Sequence, residues 1–181
     1  LEEMIPFHAE ASFLVARAID GSLSLFPASL NEHKNGILAR SFAPAALPDA
    51  VINEGKAAVS ALAEALDLVG LLALETFVTE DSRLLFNEIA PRPHNSFHWS
   101  IEGCETSQFT QLIRAVAGLP LGGTGCYGTW QMDNLLGEDM GSLESLANKA
   151  GLHIHLYGKT EAKTGRKMGH TNQQISSESI A

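Results

Sequence analysis

Cysteine is nearly absent: Cys104 and Cys126 are the only two in 181 residues. They form no metal-binding motif and no disulfide framework, so the simple expectation is a reduced, cytoplasmic setting. Basic residues are also few, 12 against 21 acidic ones, and the net charge of −9 argues against general binding to nucleic acid. No stretch of eighteen or more apolar residues exists, so no membrane-spanning helix is expected. No basic segment followed by an apolar one opens the chain, which speaks against a signal peptide. An initiator methionine is missing too. Leu1-Glu2-Glu3-Met4-Ile5-Pro6-Phe7 begins abruptly, as if cut from a longer chain.

What is present suffices for a core. Hydrophobic residues make up 45% of the chain, and its length suits one domain, or one domain with a small appendage. The pattern is mixed α and β. Segments 11–19 and 23–27 flank Asp20-Gly21, a strong hairpin signal. Asn31 to Gly36 reads as a polar loop before a short strand over 37–41, and Pro44 to Pro48 as a linker. Ile52, Val59, Leu62, Leu66 and Val69 predict a helix over 49–69 that ends at Gly70. A second helix is expected over 106–117, with Phe109, Leu112, Ile113 and Val116 on one face and Gly118 as its stop. Gly122-Gly123-Thr124-Gly125 marks a change of texture into a smaller β-rich segment. There Ser142 is placed to cap a short helix to Lys149, and 152–157 alternates as a half-buried strand. Residues 171–181 are polar and give no reason to fold.

The chemistry concentrates in two runs, Leu71 to Val78 and Asn87 to Trp99. Thr79 to Arg83 is polar and turn-like between two apolar stretches, which predicts a hairpin. With Asp81-Ser82 as a two-residue loop, Glu80 pairs with Arg83, Val78 with Leu85, Phe77 with Phe86 and Glu75 with Glu88. An odd-length loop breaks that register. Like charges directly opposite destabilise a sheet, and two charges about 4 Å apart repel by roughly 4 kcal/mol at an effective dielectric near 20. A magnesium ion converts the repulsion into attraction, and Mg²⁺ favours one or two carboxylates completed by phosphates and water. The alternative is a surface hairpin with two solvated acids, or one acid held protonated.

Other clusters admit two readings as well. Lys159, Lys163, Arg166 and Lys167 gather four of the twelve basic residues, which suits one localised anion such as phosphate, or else a solvated loop balancing acids elsewhere. His153 and His155 share a strand face, but no third ligand lies near them, and the polar side of an amphipathic strand accounts for both. Pro91 and Pro93 stiffen the path after Glu88 and fix where Arg92, His94 and Asn95 point. These supply a planar cation for an anion, a proton near neutral pH, and a paired donor and acceptor. A solvent-exposed Pro-rich connection explains the prolines but not those three side chains beside the acids.

The run Asn87-Glu88-Ile89-Ala90-Pro91-Arg92-Pro93-His94-Asn95-Ser96, the Glu75 strand, Asn31 to Leu38, Thr106 to Phe109, Leu119 to Gly122 and Gly165 to His170 together resemble 5-(carboxyamino)imidazole ribonucleotide synthase, the ATP-grasp carboxylase of purine synthesis. The resemblance runs from residue 1 to about residue 170. It implies an α+β fold: the C-terminal half of an ATP-grasp fold, an antiparallel sheet with flanking helices, over 1–120. A small β-rich cap over 121–170 and a polar tail over 171–181 follow. It implies ATP, Mg²⁺ and bicarbonate as reactants, aminoimidazole ribonucleotide as the carboxylated substrate, carboxyphosphate as intermediate, and a cytoplasmic homodimer. Glu75 and Glu88 match the magnesium ligands. Arg92, His94 and Asn95 match the group around bicarbonate and the imidazole. Lys159, Arg166 and Lys167 match the site for the ribonucleotide phosphate. Glu2, Glu3, Met4 and Ile5 match the hinge along adenine, Glu10 the acid on the ribose hydroxyls, and His33 a motif near the nucleotide. Asn87 is also assigned to the nucleotide side, although strict strand alternation turns it to the other face.

Two departures stand out. Phe97 replaces the usual Gly, and Phe does not adopt positive φ as Gly does, so it either narrows the pocket or fills a gap. The family's enzyme is about twice as long, and the expectation is that these residues alone do not turn over. Competing readings are another ATP-grasp ligase, such as a biotin carboxylase or a formate-using glycinamide ribonucleotide enzyme, and a non-catalytic module that keeps the fold. Neither of those ligases is expected to carry the Pro-Arg-Pro-His-Asn run.

Overall fold

The computed structural model describes residues 4–176. Nine antiparallel strands form one sheet: β1 (Ala9–Arg17), β2 (Leu23–Leu25), β3 (Ser29–Lys34), β4 (Ile37–Ala43), β5 (Gly70–Val78), β6 (Leu84–Ala90), β7 (Thr129–Leu136), β8 (Leu152–Leu156) and β9 (Lys167–Ile175). Their order is β6-β5-β1-β3-β4-β7-β9-β8, with β2 paired to the end of β1. Among the described residues four α-helices accompany them, α1 (Asp49–Ala65), α2 (Ser100–Gly103), α3 (Gln108–Val116) and α4 (Leu143–Ala147), with 3-10 turns at Asn95–Phe97 and Gly137–Ser142. Among the described residues no helix is long and apolar enough to cross a membrane.

The central pair explains the two-sided core. β1 and β5 pair along their full length, from Ala9 opposite Val78 to Arg17 opposite Gly70. Side chains alternate across a strand. Thus Phe13, Val15, Leu72 and Leu74 pack on one face against Val51, Val59 and Ala63 of α1. Leu14, Ala16, Leu71 and Ala73 pack on the other against Phe97, Trp99, Trp130 and Met132. Gly55 lets α1 settle onto the Phe13 ring, because a Cβ there would lie 2.1 Å from that ring. β4 carries the sheet into the C-terminal segment through β7, with Arg40 opposite Asp133 and Ala43 opposite Trp130.

Several expectations need correction. The segment 31–36 is not a loop but most of β3 and the turn after it. Asn35 and Gly36 both have positive φ, 53° and 73°, the backbone of a two-residue primed hairpin. Helix α1 stops at Ala65, before Asp67 turns to φ 45°. Of the apolar face expected on α3 only Leu112 packs against the core: Phe109, Ile113 and Val116 are 40%, 61% and 57% exposed, while Gln108, Gln111 and Ala115 are buried. Buried amides win there because each clamps a backbone. Gln111 accepts from Gly122 N–H at 2.9 Å and donates to its carbonyl at 2.9 Å. Ser142 precedes α4 but makes no capping bond. Residues 171–175 are not a loose tail. They complete β9, paired to both β7 and β8. Asn172 of this strand donates to the His98 carbonyl at 2.9 Å and to Glu102 at 2.6 Å. Residues 177–181 lie outside the described residues.

Candidate active site

A cleft of about 720 Å³ opens on the sheet face that carries Glu75, and its lining includes Glu10, His33, Glu75, Asn87, Glu88, Arg92, His94, Asn95 and Lys167. Glu75 stands opposite Glu88, as the hairpin argument expects, but by another route. Five residues, Thr79 to Arg83, separate the strands, so Val78 pairs with Leu84, Phe77 with Leu85 and Thr76 with Phe86. A β-bulge beyond Thr76 then leaves Asn87 without a cross-strand partner and restores the Glu75–Glu88 pair. The odd loop and the extra residue cancel. The same bulge breaks strict alternation, so Asn87 lines the cleft beside Glu88 instead of facing away. Ser82 takes φ 59° in this turn.

The electrostatics fit a cation. Oxygens of Glu75 and Glu88 and a ring nitrogen of His94 all lie within 4.8 Å of one another. Burial raises the pKa of Glu75, and the Glu88 charge raises it further. His94 Nε2 lies 3.3 Å from Glu75 Oε1 while Nδ1 meets Ser96 Oγ at 2.8 Å. Burial and then the Arg92 charge lower the His94 pKa to about 4. The imidazole is therefore neutral, and its approach to Glu75 is a polar contact and not an ion pair.

Arg92, His94 and Asn95 emerge from the stiff run into the same space. Arg92 is exposed, with its guanidinium on the Pro93 carbonyl at 3.0 Å. His94 is clamped by a residue that the spacing arguments pass over. Gln108 accepts from His94 N–H at 2.8 Å and donates to the His94 carbonyl at 2.9 Å. Its position, first in a helix after Ser107, is the only local hint; Ser107 caps α3 by accepting from Thr110 N–H. Asn95 Nδ2 is buried with no partner among the described residues, an amide donor held ready at the cleft. Phe97 does not narrow the cleft. It is fully buried between Phe26 and Trp99, and its φ is not positive.

The basic cluster divides. Lys167 lines the cleft, half-buried; burial lowers its pKa, and the Glu75 charge acts to raise it. Lys159 and Arg166 stay exposed on the loop between β8 and β9, where Lys159 Nζ donates to the Lys167 carbonyl at 2.5 Å and Arg166 to the Glu161 carbonyl at 3.3 Å. Lys163 pairs with Glu161 at 2.8 Å. The loop is latched from below. Gly165 N–H donates to Glu138 at 2.8 Å, and a Cβ on Gly137 would lie 2.1 Å from the Lys163 carbonyl oxygen.

On the opposite side Glu10 and His33 are hydrogen-bonded to each other at the cleft edge. Met4 is 93% exposed, neither it nor Ile5 lines the cleft, and Glu2 and Glu3 lie outside the described residues. His155 pairs with Glu102 at 2.7 Å and stacks on His170, while His153 packs against Trp130.

Residues 1–109 match the ATP-grasp domain family, and residues 131–179 match the phosphoribosylaminoimidazole carboxylase C-terminal domain. An N5-carboxyaminoimidazole ribonucleotide synthase of Brucella melitensis is 45% identical over 173 residues, covering 96% of this chain and 48% of that protein. Among solved structures, the ADP complex of an N5-carboxyaminoimidazole ribonucleotide synthetase superposes with a TM-score of 0.95 at 43% identity, over 99% of this chain and 48% of that one. An Aspergillus clavatus N5-carboxyaminoimidazole synthase in complex with ADP and 5-aminoimidazole ribonucleotide gives 0.91 at 29% identity, over 98% and 50%. The chain thus spans about half the length of these synthases. With the family model covering residues 1–109 of 181, the chain belongs to the ATP-grasp family.

Proposed function

We propose that this chain forms the metal, bicarbonate and ribonucleotide side of the cleft of an N5-carboxyaminoimidazole ribonucleotide synthase, which uses ATP and bicarbonate to carboxylate 5-aminoimidazole ribonucleotide. The observation that carries the reading is the convergence of Glu75, Glu88, Arg92, His94 and Lys167 on one cleft. Residues 1–120 hold the carboxylates and 121–170 the basic loop. The similarity further implies a cytoplasmic homodimer.

The residues fit a divalent ion. Two facing acids, one with its pKa raised, and a neutral imidazole form an oxygen-rich donor set. Glu75 and Glu88 would hold Mg²⁺, with Asn87 beside them. When bound, the ion neutralises charge on the transferring phosphate. Arg92 supplies a fixed cation for bicarbonate at the mouth of the cleft. Asn95 offers its unpartnered Nδ2 to the same anion or to the substrate amine. His94, clamped by Gln108 and neutral, presents Nε2 as a hydrogen-bonding group of fixed direction. Lys167 binds the ribonucleotide phosphate, with Lys159 and Arg166 closing from the loop. Glu10 and His33 form the nucleotide edge, with the 2–5 segment along adenine. These 181 residues, about half the relatives' length, hydrolyse no ATP alone on this reading.

Calorimetric titration of the chain with 5-aminoimidazole ribonucleotide tests this. Binding is expected, and Lys167→Ala weakens it. Equal affinity for a ribonucleotide without the imidazole would favour another ATP-grasp ligase. Ribonucleotide-stimulated ATP hydrolysis by these residues alone would refute the requirement for more chain.

A further inference from the structure

The two cysteines take no part in the cleft, yet the fold brings them together. Cys104, at the end of α2, and Cys126, in the connection to β7, form an isolated antiparallel bridge. Glu105 N–H donates to the Gly125 carbonyl at 3.0 Å, and Tyr127 N–H donates to the Gly103 carbonyl at 2.8 Å. Both bonds join the neighbours of the pair, so Cys104 and Cys126 occupy a non-hydrogen-bonded position. In antiparallel pairs such residues have Cα atoms about 4.5 Å apart and side chains at their closest. A disulfide accepts Cα separations of about 4.4–6.8 Å, so this backbone holds a bridge without moving.

Exposure divides the roles. Cys104 is 8% exposed, and Cys126 is partly buried at the edge of the core. The Cys126 thiol donates to the Gly128 carbonyl at 3.2 Å, and the neighbouring sulfurs act on each other so that the pKa of Cys126 is lowered and that of Cys104 raised. The accessible thiol is thus the one that becomes thiolate more readily, with a second sulfur behind it.

We propose that Cys104 and Cys126 are a redox-active dithiol that a small-molecule disulfide converts to an intramolecular disulfide. The Cys126 thiolate attacks one sulfur of the disulfide and expels one small thiolate, leaving a mixed disulfide on Cys126. Cys104 loses its proton to solvent, attacks the Cys126 sulfur and expels the second thiolate. Two protein thiols are oxidised by two electrons, and one small disulfide is reduced to two thiols. The bridge fastens the connection after α3, already held by Gln111 on Gly122 and by Thr124 on the Leu25 carbonyl, to the end of α2.

The full chain, incubated under native conditions with oxidised glutathione, decides the matter. The remaining thiols are alkylated and the protein mapped by mass spectrometry. The expected product has lost two hydrogens, yields a Cys104–Cys126 linked peptide, and regains both thiols with dithiothreitol. Cys104→Ser is expected to retain a persistent glutathione adduct at Cys126, and Cys126→Ser to resist reaction. Wild-type protein that accumulates the adduct with Cys104 still open to alkylation, links only between chains, or keeps both thiols would overturn the proposal. The wild-type result stands even where a variant folds poorly.

Discussion

The cleft has two walls built on different principles. The acidic wall stands on β5 and β6 beside the fully paired β1–β5 centre, and the bulge fixes where its side chains point. The basic wall has Lys167 at the start of β9, with Lys159 and Arg166 outside the lining on the exposed β8–β9 loop, which is tied down by one backbone hydrogen bond to Glu138 and a close approach at Gly137. Groups that share a small ion must be placed to within tenths of an ångström, and a sheet does that. A phosphate held by long flexible cations tolerates looser support. The contrast predicts large, localised losses on the first wall and graded ones on the second.

The largest effect is expected at the acids. Glu88→Gln should weaken Mn²⁺ binding, read by electron paramagnetic resonance, by more than the roughly 10–100-fold typical of losing an outer-shell partner. Glu75→Gln should do the same, yet raise the melting temperature of the metal-free chain at neutral pH. Its folded pKa is raised, so the ionised form destabilises the fold once pH exceeds the unfolded value, and the amide removes that burden. A Glu75→Gln chain that melts lower and binds Mn²⁺ normally would show that the acids serve only the sheet.

Much of this contrast was legible in residue order. The Glu75–Glu88 pairing follows from hairpin reasoning, although two register errors cancelled on the way, because a bulge leaves no mark that period-two alternation can read. The Asn35-Gly36 turn is readable in the dipeptide itself, but the polar residues of β3 before it have the composition of a loop. Periodicity finds helix α3 but not its buried face: Gln108 and Gln111 lie buried because each satisfies a distant backbone, a tertiary fact that no local pattern carries. The division of the basic cluster is likewise tertiary. Spacing groups Lys159, Arg166 and Lys167, and only the fold sends Lys167 inward.

Three histidines, His94 in the cleft and His98 and His170 outside its lining, set the response to acid. Burial lowers the pKa of His98 to about 4 and of His170 to about 3, and His94 behaves like His98. Below their ordinary value of 6.5 the unfolded chain binds protons that the folded chain refuses, so stability is present above that pH and falls as pH drops. Each contributes a slope of roughly 1.4 kcal/mol per pH unit over that interval. Urea unfolding between pH 7 and 5 should show the decline, and His170→Asn should make it shallower. A flat profile would mean that these rings charge freely in the fold.

On the basic wall, Lys167→Ala should weaken 5-aminoimidazole ribonucleotide binding about tenfold, the scale of one charge-assisted hydrogen bond. Lys159→Ala and Arg166→Ala should each cost less, because neither side chain lines the cleft. Equal losses at all three positions, measured by titration calorimetry, would show that the loop closes as a unit.

The smallest effect belongs to the latch. Glu138 touches nothing in the cleft lining except through Gly165, whose N–H it accepts at 2.8 Å. Removing this solvent-exposed hydrogen bond loosens the loop only slightly, because water replaces the lost partner. Glu138→Ala should therefore lower ribonucleotide affinity by a few-fold and leave Mn²⁺ binding at Glu75 and Glu88 unchanged. Glu138→Gln, which retains an acceptor oxygen, should recover most of the loss. An equal fall in metal affinity would couple the two walls and end the distinction between a rigid acidic side and a tethered basic one.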